Sequence, residues 1–504
     1  MDLADLIARN AAFTPDRPAL VFEGESLSYR AFYERIERAA HGLQAEFGIS
    51  RGDRVAILSL NRPDYLVLLY ACARLGAMLV PLNWRLAAAE QLFILSDASA
   101  KVLVLEQAFA GVLPALETTL SGIRVVGLDF APQGCSFGAL LATNEGGRRN
   151  PDADLSCPLL IVYTSGTTGR PKGAVLTQQA LLWNGVMSQH MHGLTSDDRV
   201  LTVLPFFHVG GLNIQTTPAL HHGACVIIHP RFAPETALAA IARDRPTLTV
   251  LVPATIQAMT DHPAWASTDL SSLKAVATGS QIVPPHLIER FVARGVPVLQ
   301  VYGSTETCPI AVYTRLGGDL SREGSTGLPG LCCEARVVDE SGARLPPDMP
   351  GEIVVRGPNV FSGYWGNEEA TREALRDGWY RTGDIGSVDC DGWFYVHDRK
   401  KNIIISGGEN IYAAEVERAL LEHPGVADCG VIGRPDARWN EAPVAYVIAR
   451  AGGSIDTEAL QAHMLARLAR FKVPREFVFV EDLPRTALGK VQHFRLKELA
   501  GERE

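Results

Sequence analysis

Residues 163–173 read Tyr163-Thr164-Ser165-Gly166-Thr167-Thr168-Gly169-Arg170-Pro171-Lys172-Gly173. An apolar stretch that predicts a strand, Leu159–Tyr163, comes directly before this segment, and a helical pattern begins at Gln178. Glycines let backbone amides approach an anion, hydroxyls donate to phosphate oxygens, and Lys172 adds a positive charge. The segment therefore predicts a phosphate-binding loop, with a flexible surface loop as the alternative. It is not a Walker A loop, because Lys172 follows Pro171.

On both sides of this loop, strand-like and helical patterns alternate, which is typical of parallel sheets covered by helices. The predicted strands up to residue 301 are Asp53–Leu58, Ala77–Pro81, Lys101–Leu105, Leu159–Tyr163, Val200–Leu204, Cys225–Ile228, Leu248–Val252, Lys274–Ala277 and Val298–Val301. After Gly327, short apolar runs separated by Gly and Pro predict antiparallel strands and a barrel-like lobe.

A chain of 504 residues exceeds the size at which single cores usually divide. A run of mostly charged residues at 398–402 indicates the boundary between the two domains. We therefore predict an α/β fold with a large domain over 1–398, a hinge at 399–401 and a small α+β domain over 402–504.

The composition restricts the class of protein. A formal net charge of −9 disfavours a nucleic-acid binder, which needs a basic face. The nine cysteines include no C-x-x-C pair, so we expect core thiols in a reducing compartment rather than zinc ligands or disulfides.

The N-terminus lacks the pattern of a secretory signal. The apolar stretch from Tyr65 to Leu82 contains Arg74 and Pro81, which favours a buried helix and a strand over a membrane span. We expect a cytoplasmic protein, and its oligomeric state, including a homodimer, stays open.

The phosphate loop resembles that of the adenylate-forming superfamily, which contains acyl-CoA synthetases, adenylation domains of peptide synthetases and beetle luciferases. Five further segments resemble motifs of the same superfamily, in the same order. They are Tyr302-Gly303-Ser304-Thr305-Glu306, Tyr380-Arg381-Thr382-Gly383-Asp384, Asp398-Arg399-Lys400-Lys401, Ser406-Gly407-Gly408-Glu409-Asn410-Ile411-Tyr412 and Pro484-Arg485-Thr486-Ala487-Leu488-Gly489-Lys490. The resemblance covers essentially the whole chain.

The resemblance implies an ATP site. Glu306 and Thr305 would serve Mg²⁺ and the α-phosphate, and a carboxylate suits this hard ion. Asp384 would accept from both ribose hydroxyls, and Arg399 would meet the ribose or a phosphate. The phosphates and adenine would be held by Thr164, Ser165, Gly166, Thr167, Thr168, Gly169, Lys172, Gly279, Ser280, Gln281, Tyr302, Gly303 and Ser304. The segment 279–281 departs from the commoner small-residue version.

The resemblance also implies catalytic roles outside the ATP site. Lys490 would offset the negative charge that develops as a carboxylate attacks a polyphosphate, and an exposed lysine is the alternative. Two orientations of the small domain would serve the two half-reactions, with Lys401 at the hinge and Gly407 and Gly408 beside a pantetheine tunnel. Trp439 and Arg475 would contact CoA.

His208, in Pro205-Phe206-Phe207-His208-Val209-Gly210-Gly211, matches the aromatic-His motif of the superfamily and would border the acyl site. A packed core histidine is the alternative. The stretch from Pro205 to Gln215 contains no Asp or Glu, which disfavours amino acids, and Val301 disfavours a dicarboxylate. A medium-chain or long-chain fatty acid and an aryl or cyclic acid both stay open.

The resulting prediction is an ATP-dependent carboxylic acid–CoA ligase, with ATP, Mg²⁺ and CoA as its cofactors. A stand-alone enzyme that loads a carrier protein and a non-catalytic nucleotide-binding regulator are the alternatives. The regulator would have lost catalytic groups, whereas Lys172, Glu306, Asp384 and Lys490 are all present. A luciferase-like oxygenase has the same motifs, but most members of the superfamily are ligases.

Overall fold

The computed structural model describes residues 1–119, 122–142, 150–164, 171–280, 283–406, 409–436, 439–450, 455–468, 470–485 and 489–501. Within these ranges the α-helices are α1 (Ala4–Phe13), α2 (Tyr29–Phe47), α3 (Pro63–Leu75), α4 (Ala88–Asp97), α5 (Leu113–Thr119), α6 (Phe137–Leu141), α7 (Gln178–His192), α8 (Val209–Asn213), α9 (Thr216–His221), α10 (Pro234–Asp244), α11 (Pro253–Thr260), α12 (Pro285–Val292), α13 (Glu368–Ala374), α14 (Ala413–Leu421), α15 (Thr457–Leu465) and α16 (His493–Gly501).

The strands over the same ranges are β1 (Pro18–Phe22), β2 (Glu25–Ser28), β3 (Arg54–Leu58), β4 (Met78–Pro81), β5 (Val102–Leu105), β6 (Arg124–Gly127), β7 (Pro158–Thr164), β8 (Lys172–Thr177), β9 (Arg199–Thr202), β10 (Cys225–Ile228), β11 (Leu248–Leu251), β12 (Ala275–Gly279), β13 (Val298–Tyr302), β14 (Val312–Tyr313), β15 (Leu328–Pro329), β16 (Glu334–Val338), β17 (Gly351–Arg356), β18 (Gly363–Tyr364), β19 (Leu375–Arg376), β20 (Trp379–Val388), β21 (Phe394–Arg399), β22 (Ile403–Ser406), β23 (Glu409–Tyr412), β24 (Val426–Asp436), β25 (Asn440–Ala449) and β26 (Glu476–Phe479).

The chain divides into two compact units. The first comprises Met1–Ala335 and Val355–Arg381, and the second comprises Arg336–Val354 and Thr382–Glu504. Strands β16, β17 and β20 each begin in one unit and end in the other. The predicted hinge at 399–401 concerns movement and stays a prediction.

The first unit contains two large sheets. One has nine strands in the order β15-β14-β13-β12-β11-β9-β10-β1-β2, parallel from β13 to β1 and antiparallel at both ends. The other has seven strands in the order β18-β8-β7-β4-β3-β5-β6, parallel from β7 to β6. Parallel pairing requires crossover connections, and the helices between the strands supply them. The predicted mainly parallel α/β architecture is therefore confirmed.

One continuous apolar core joins a face of each large sheet to α2, α3 and α7. Helix α3 is apolar around its circumference and is buried from Tyr65 to Leu75, which is the expected position of such a helix. The charge of buried Arg74 is neutralised by Asp2, Asp5 and Glu37 at 2.7–2.8 Å. The stretch from Tyr65 to Leu82 is thus a buried helix followed by a strand, as its Arg and Pro predicted.

Within the described residues, no helix is both long and apolar enough to span a bilayer.

The second unit contains a five-stranded sheet in the order β23-β22-β25-β24, with β26 pairing with β25. Helices α14 and α15 cover one face through Val416, Leu420 and Leu460, and α16 covers the other through Leu496. This α+β arrangement is the one predicted for the C-terminal part of the chain. The antiparallel pairing of β20 with β21 agrees with the antiparallel strands that the short apolar runs after Gly327 predict.

Candidate functional site

The predicted phosphate loop connects two antiparallel strands. In the β7–β8 hairpin Thr164 lies opposite Lys172. Strand β8 therefore lies between the loop and α7, and α7 begins at Gln178, where the sequence predicts the helix. Residues 165–169, which include the predicted ligands Ser165, Gly166, Thr167, Thr168 and Gly169, lie outside the described residues. The stem is held by Tyr163, whose hydroxyl donates to Asp97 Oδ2 at 2.5 Å.

Two neighbouring parallel strands, β12 and β13, end at the next predicted ligands. Gly279 is required where they approach, because an added Cβ would lie 2.2 Å from the carbonyl oxygen of Val301. Ser280 follows with a φ of 78°, in the left-handed region that serine rarely adopts. Gln281 lies outside the described residues. Ligands of open α/β sheets bind at such carboxyl ends, so the position of this segment agrees with the predicted adenine wall.

The turn after β13 is fixed by close backbone contacts. A Cβ on Gly303 would lie 1.8 Å from the carbonyl oxygen of Pro309, so only glycine fits there. The Thr307 hydroxyl accepts from the backbone N–H of Ser304 at 2.9 Å, and the Ser304 hydroxyl lies 3.4 Å from that of Tyr380. This packing places Thr305 and Glu306 in a short turn directly beyond Tyr302.

The Glu306 carboxylate is buried, with 7% of the residue exposed, and it is held by a residue that the sequence motifs did not indicate. The Tyr364 hydroxyl donates to Glu306 Oε1 at 2.8 Å. The Nζ atom of Lys172 lies 5.5 Å from the centre of the same tyrosine ring. The structure thus brings together Lys172 and Glu306, two predicted ligands that are 134 positions apart in the sequence.

Oxygen donors at this turn suit magnesium. The Glu306 carboxylate and the Thr305 hydroxyl are hard ligands, and Mg²⁺ usually takes one or two carboxylates and completes its shell with water and substrate phosphates. In the part of the chain that the structure describes, no three His, Cys, Asp or Glu side chains are grouped as a metal cage. The oxygen donors of Glu306 and Thr305 fit an ion that is bound together with a nucleotide.

A second cluster, formed by Asp384, Arg399 and Lys490, lies within the second unit. Strands β20 and β21 pair Asp384 with Arg399, and Arg399 Nε lies 2.6 Å from Asp384 Oδ1. The turn before Asp384 is held by the Thr382 hydroxyl, which donates to the Ile353 carbonyl at 2.7 Å and accepts from the Asp384 N–H at 3.0 Å. The sequence predicted a ribose ligand and its cationic neighbour here, and the structure places the two side chains in contact.

Lys490 belongs electrostatically to the same cluster. The pKa of its ammonium is lowered to about 8, mainly by burial and also by the positive charge of Arg399, while Asp384 opposes the shift. Gly489, directly before this lysine, has a φ of 82°, in the left-handed region that glycine adopts readily. Lys490 is partly buried and therefore is not the fully exposed terminal lysine of the alternative interpretation.

His208 lies at the start of α8, where its carbonyl accepts from the N–H groups of Gly211 and Leu212 at 3.1 Å. Its ring packs against that of Phe207 at a centroid distance of 4.5 Å, and Phe207 also contacts Trp84 at 6.2 Å. These contacts give the histidine an aromatic neighbourhood, which fits both the predicted acyl-site role and the packed-core alternative.

The two predicted CoA ligands come together. The guanidinium carbon of Arg475 lies 4.9 Å from the centre of the Trp439 ring, within the range of a cation–π interaction. Arg475 lies directly before β26 and Trp439 directly before β25. The two residues are 36 positions apart in the sequence, so their contact depends on the pairing of these strands. Gly407 and Gly408 lie outside the described residues.

Sequence motifs missed two residues that position the site. Tyr364 is one, and Asn359 is the other. The buried side-chain amide of Asn359 donates to the carbonyls of Thr307 and Ile310 at 2.9 and 2.8 Å, which fixes the turn around Glu306. Neither residue has a local signal, because each acts across about 50 residues or more of intervening chain.

Comparison with known proteins agrees with this geometry. The family described as AMP-binding enzyme matches residues 7–365, and the AMP-binding enzyme C-terminal domain matches residues 415–490. Indoleacetate–CoA ligase of Aromatoleum aromaticum is 46% identical, over 100% of this chain and 99% of that protein. Feruloyl-CoA synthase of an Amycolatopsis species is 42% identical, over 96% of each.

Structures of o-succinylbenzoate CoA synthetase from Bacillus subtilis, 31% identical, superpose with a TM-score of 0.87 over 99% of this chain and 98–99% of that one. One of them contains an acyl-adenylate intermediate, and another contains ATP and a magnesium ion. With two family matches that together span most of its length, this chain belongs to the AMP-binding enzyme family of the adenylate-forming superfamily.

Proposed function

We propose that this protein is an ATP-dependent ligase that joins an aryl or arylalkyl carboxylic acid to CoA. The observation that carries the proposal is the cluster of Lys490, Asp384 and Arg399, which places a lysine with a lowered pKa beside a buried carboxylate. This arrangement suits a reaction at a nucleotide phosphate. The relatives' CoA ligase names support CoA as the acceptor.

In the first half-reaction, an oxygen of the acid attacks the α-phosphorus of ATP. The bond from that phosphorus to the bridging oxygen breaks, and pyrophosphate leaves. Lys490 would offset the negative charge that accumulates between the carboxylate and the phosphate, and removal of such a group typically costs ~10²–10³-fold in rate. Asp384 would orient the ribose by accepting from its hydroxyls.

The first unit would hold the triphosphate. Lys172, Thr164 and the loop between them would contact its oxygens, and Glu306 with Thr305 would hold Mg²⁺. When bound, this ion neutralises phosphate charge. Glu306 is already oriented by Tyr364, so little reorganisation of the carboxylate is needed on binding.

In the second half-reaction, the CoA thiol loses its proton and its sulfur attacks the acyl carbonyl carbon. The bond from that carbon to the phosphate oxygen then breaks, and AMP leaves. Trp439 and Arg475 would meet the pantetheine arm and a phosphate of CoA, since the indole is amphipathic and the guanidinium binds phosphate. A rotation of the small domain at 399–401 would exchange the Lys490 loop for the Gly407-Gly408 loop.

The aryl preference rests on the apolar acyl segment and on the relatives. Residues 205–215 contain no Asp or Glu, and Phe206, Phe207, Val209 and Leu212 are buried. The two relatives above are named for indoleacetate and ferulate, both aromatic acids. An aryl acid therefore fits better than an amino acid or a simple dicarboxylate.

We further propose a cytoplasmic location, where ATP and CoA are available. This location would suit the nine free cysteine thiols, which a reducing compartment preserves.

The test is pyrophosphate release with ATP and Mg²⁺ against a matched panel of acids, with and without CoA. The panel contains indole-3-acetate, ferulate, benzoate, malonate, decanoate and palmitate. We expect kcat/KM for the best aryl acid to exceed that for either fatty acid by at least about tenfold. Preference for palmitate would refute the aryl assignment, and adenylation without CoA consumption would refute the ligase.

A further inference from the structure

Residues Phe361–Trp365 form backbone hydrogen bonds to two parts of the proposed ATP site, the turn that carries Glu306 and the stem of the phosphate loop. The Phe361 N–H donates to the Glu306 carbonyl at 2.8 Å, and the Trp365 N–H donates to the Gly173 carbonyl at 2.7 Å. Between them, Tyr364 lies opposite Ala174 as β18 pairs with β8. This five-residue segment therefore connects the stem of the phosphate loop to the turn that carries Glu306.

The side chain of Tyr364 repeats this connection within the site. Its hydroxyl donates to Glu306 Oε1 at 2.8 Å, and its ring centre lies 5.5 Å from Lys172 Nζ. The ring is itself held edge-on by Phe361, at a centroid distance of 4.9 Å and an interplanar angle of 67°. One side chain thus contacts both the carboxylate assigned to the metal and the cation assigned to the phosphates.

These two contacts have different physical effects. A hydroxyl that donates to a carboxylate fixes the orientation of that carboxylate, and loss of such a partner typically lowers metal affinity ~10–100-fold. A cation over an aromatic face is attracted electrostatically by the ring, whether or not the ring carries a hydroxyl. Removal of the hydroxyl alone should therefore affect the metal, and removal of the ring should also affect Lys172.

We propose that Tyr364 is a positioning residue that couples the metal ligand Glu306 to the phosphate-loop Lys172. Through this coupling, Mg²⁺ and the nucleotide triphosphate each favour the arrangement that binds the other. The proposal rests on the proposed function only in taking the ligand to be ATP with Mg²⁺, and it requires neither an acid nor CoA.

The test uses the full chain and titration calorimetry with an ATP analogue whose α,β-bridge is methylene, so that no turnover occurs. Affinity is measured in excess Mg²⁺ and in excess EDTA, and the ratio of the two affinities is the Mg²⁺-dependent gain. Tyr364→Phe removes the hydroxyl, and Tyr364→Leu removes the hydroxyl and the ring. Tyr395→Phe is the matched control, because the Tyr395 hydroxyl donates to Asp389 at 3.3 Å in the second unit.

We expect Tyr364→Phe to reduce the Mg²⁺-dependent gain by about tenfold while affinity in EDTA stays within about twofold of wild type. Tyr364→Leu should lower the gain similarly and also weaken binding in EDTA, since Lys172 loses its aromatic partner. The control should match wild type in both conditions.

An unchanged gain in Tyr364→Phe would overturn the proposal, and so would an equal loss of affinity in Mg²⁺ and EDTA, which is the signature of a merely structural role. A reduced gain in a protein that activates no acid would uphold the positioning role while the ligase assignment failed. If the wild type bound no analogue at all, both proposals would fall.

Discussion

Adenylation should lose rate above about pH 8, because only the protonated form of Lys490 can offset charge at the attacking carboxylate. The pKa of this ammonium is lowered to about 8, mainly by burial and also by the positive charge of Arg399, while Asp384 opposes the shift. Above this pKa, the protonated fraction falls about tenfold per pH unit, so roughly a tenth remains at about pH 9. An unperturbed lysine would keep its charge at that pH.

The assay is acid-dependent exchange of pyrophosphate into ATP at substrate concentrations below KM, where the rate reports the pKa values of the free enzyme, from about pH 6.5 to about pH 10. Lys490→Arg is the informative variant, because a guanidinium stays charged throughout. We expect it to be slower than wild type at neutral pH, since the fork of the guanidinium differs from a point charge, but to lack the descending limb. In Arg399→Gln, the limb should move to higher pH because a neighbouring positive charge is gone.

Two results would refute this reasoning. A wild-type rate that stays flat to about pH 10 would mean that Lys490 keeps its charge or is not required. A descending limb that persists unchanged in Lys490→Arg would assign the titration to a substrate or to another residue.

Three further predictions concern stability, measured by denaturant unfolding. Both ring nitrogens of His221 are buried without a hydrogen-bond partner among the described residues, and burial lowers the pKa of the imidazole to about 3. The unfolded chain therefore binds more protons below about pH 6.5, and wild-type stability falls with falling pH. His221→Phe should therefore add about 1–3 kcal/mol and flatten that fall, with the exposed His286→Phe as a silent control, and an unchanged pH slope would contradict it. Gln215→Leu should also raise the free energy of unfolding, by about 1–3 kcal/mol, because the side-chain nitrogen and oxygen of Gln215 are buried without a partner among the described residues. A lower free energy of unfolding in this variant would show that the amide is hydrogen-bonded. Ser280→Gly should add about 1 kcal/mol by relieving the positive φ, and a lower unfolding midpoint would argue against strain there.

Much of the fold could be predicted because the large sheets are parallel and buried on both faces. Their strands are short apolar runs, so the predicted Cys225–Ile228 is β10 itself, and Leu248–Val252 extends β11 by one residue. The antiparallel strand β8 was not predicted, because its first residues, Lys172 and Gly173, were assigned to the loop motif. The β1–β2 hairpin was missed as well, since only Glu23 and Gly24 separate its paired strands and the exposed residues of these strands weaken the pattern.

The candidate site was predictable where one motif holds several ligands in sequence, as in Tyr302–Glu306. The family and the fold class inferred from six such motifs are confirmed by the matches to residues 7–365 and 415–490. The individual roles stay predictions. Tyr364 could not be found in this way, because its contacts with Glu306 and Lys172 are created by the pairing of β18 with β8 and leave no local spacing.

The most direct test of the central proposal is mass spectrometry of a single turnover. The protein is mixed with ATP, Mg²⁺ and indole-3-acetate, first without CoA and then with it. We predict that a mixed anhydride of the acid and AMP accumulates in an amount matching the enzyme, and that CoA converts it to the thioester with release of AMP. Absence of the adenylate with every aryl acid, or an adenylate that CoA leaves intact, would contradict the assignment as an acid–CoA ligase.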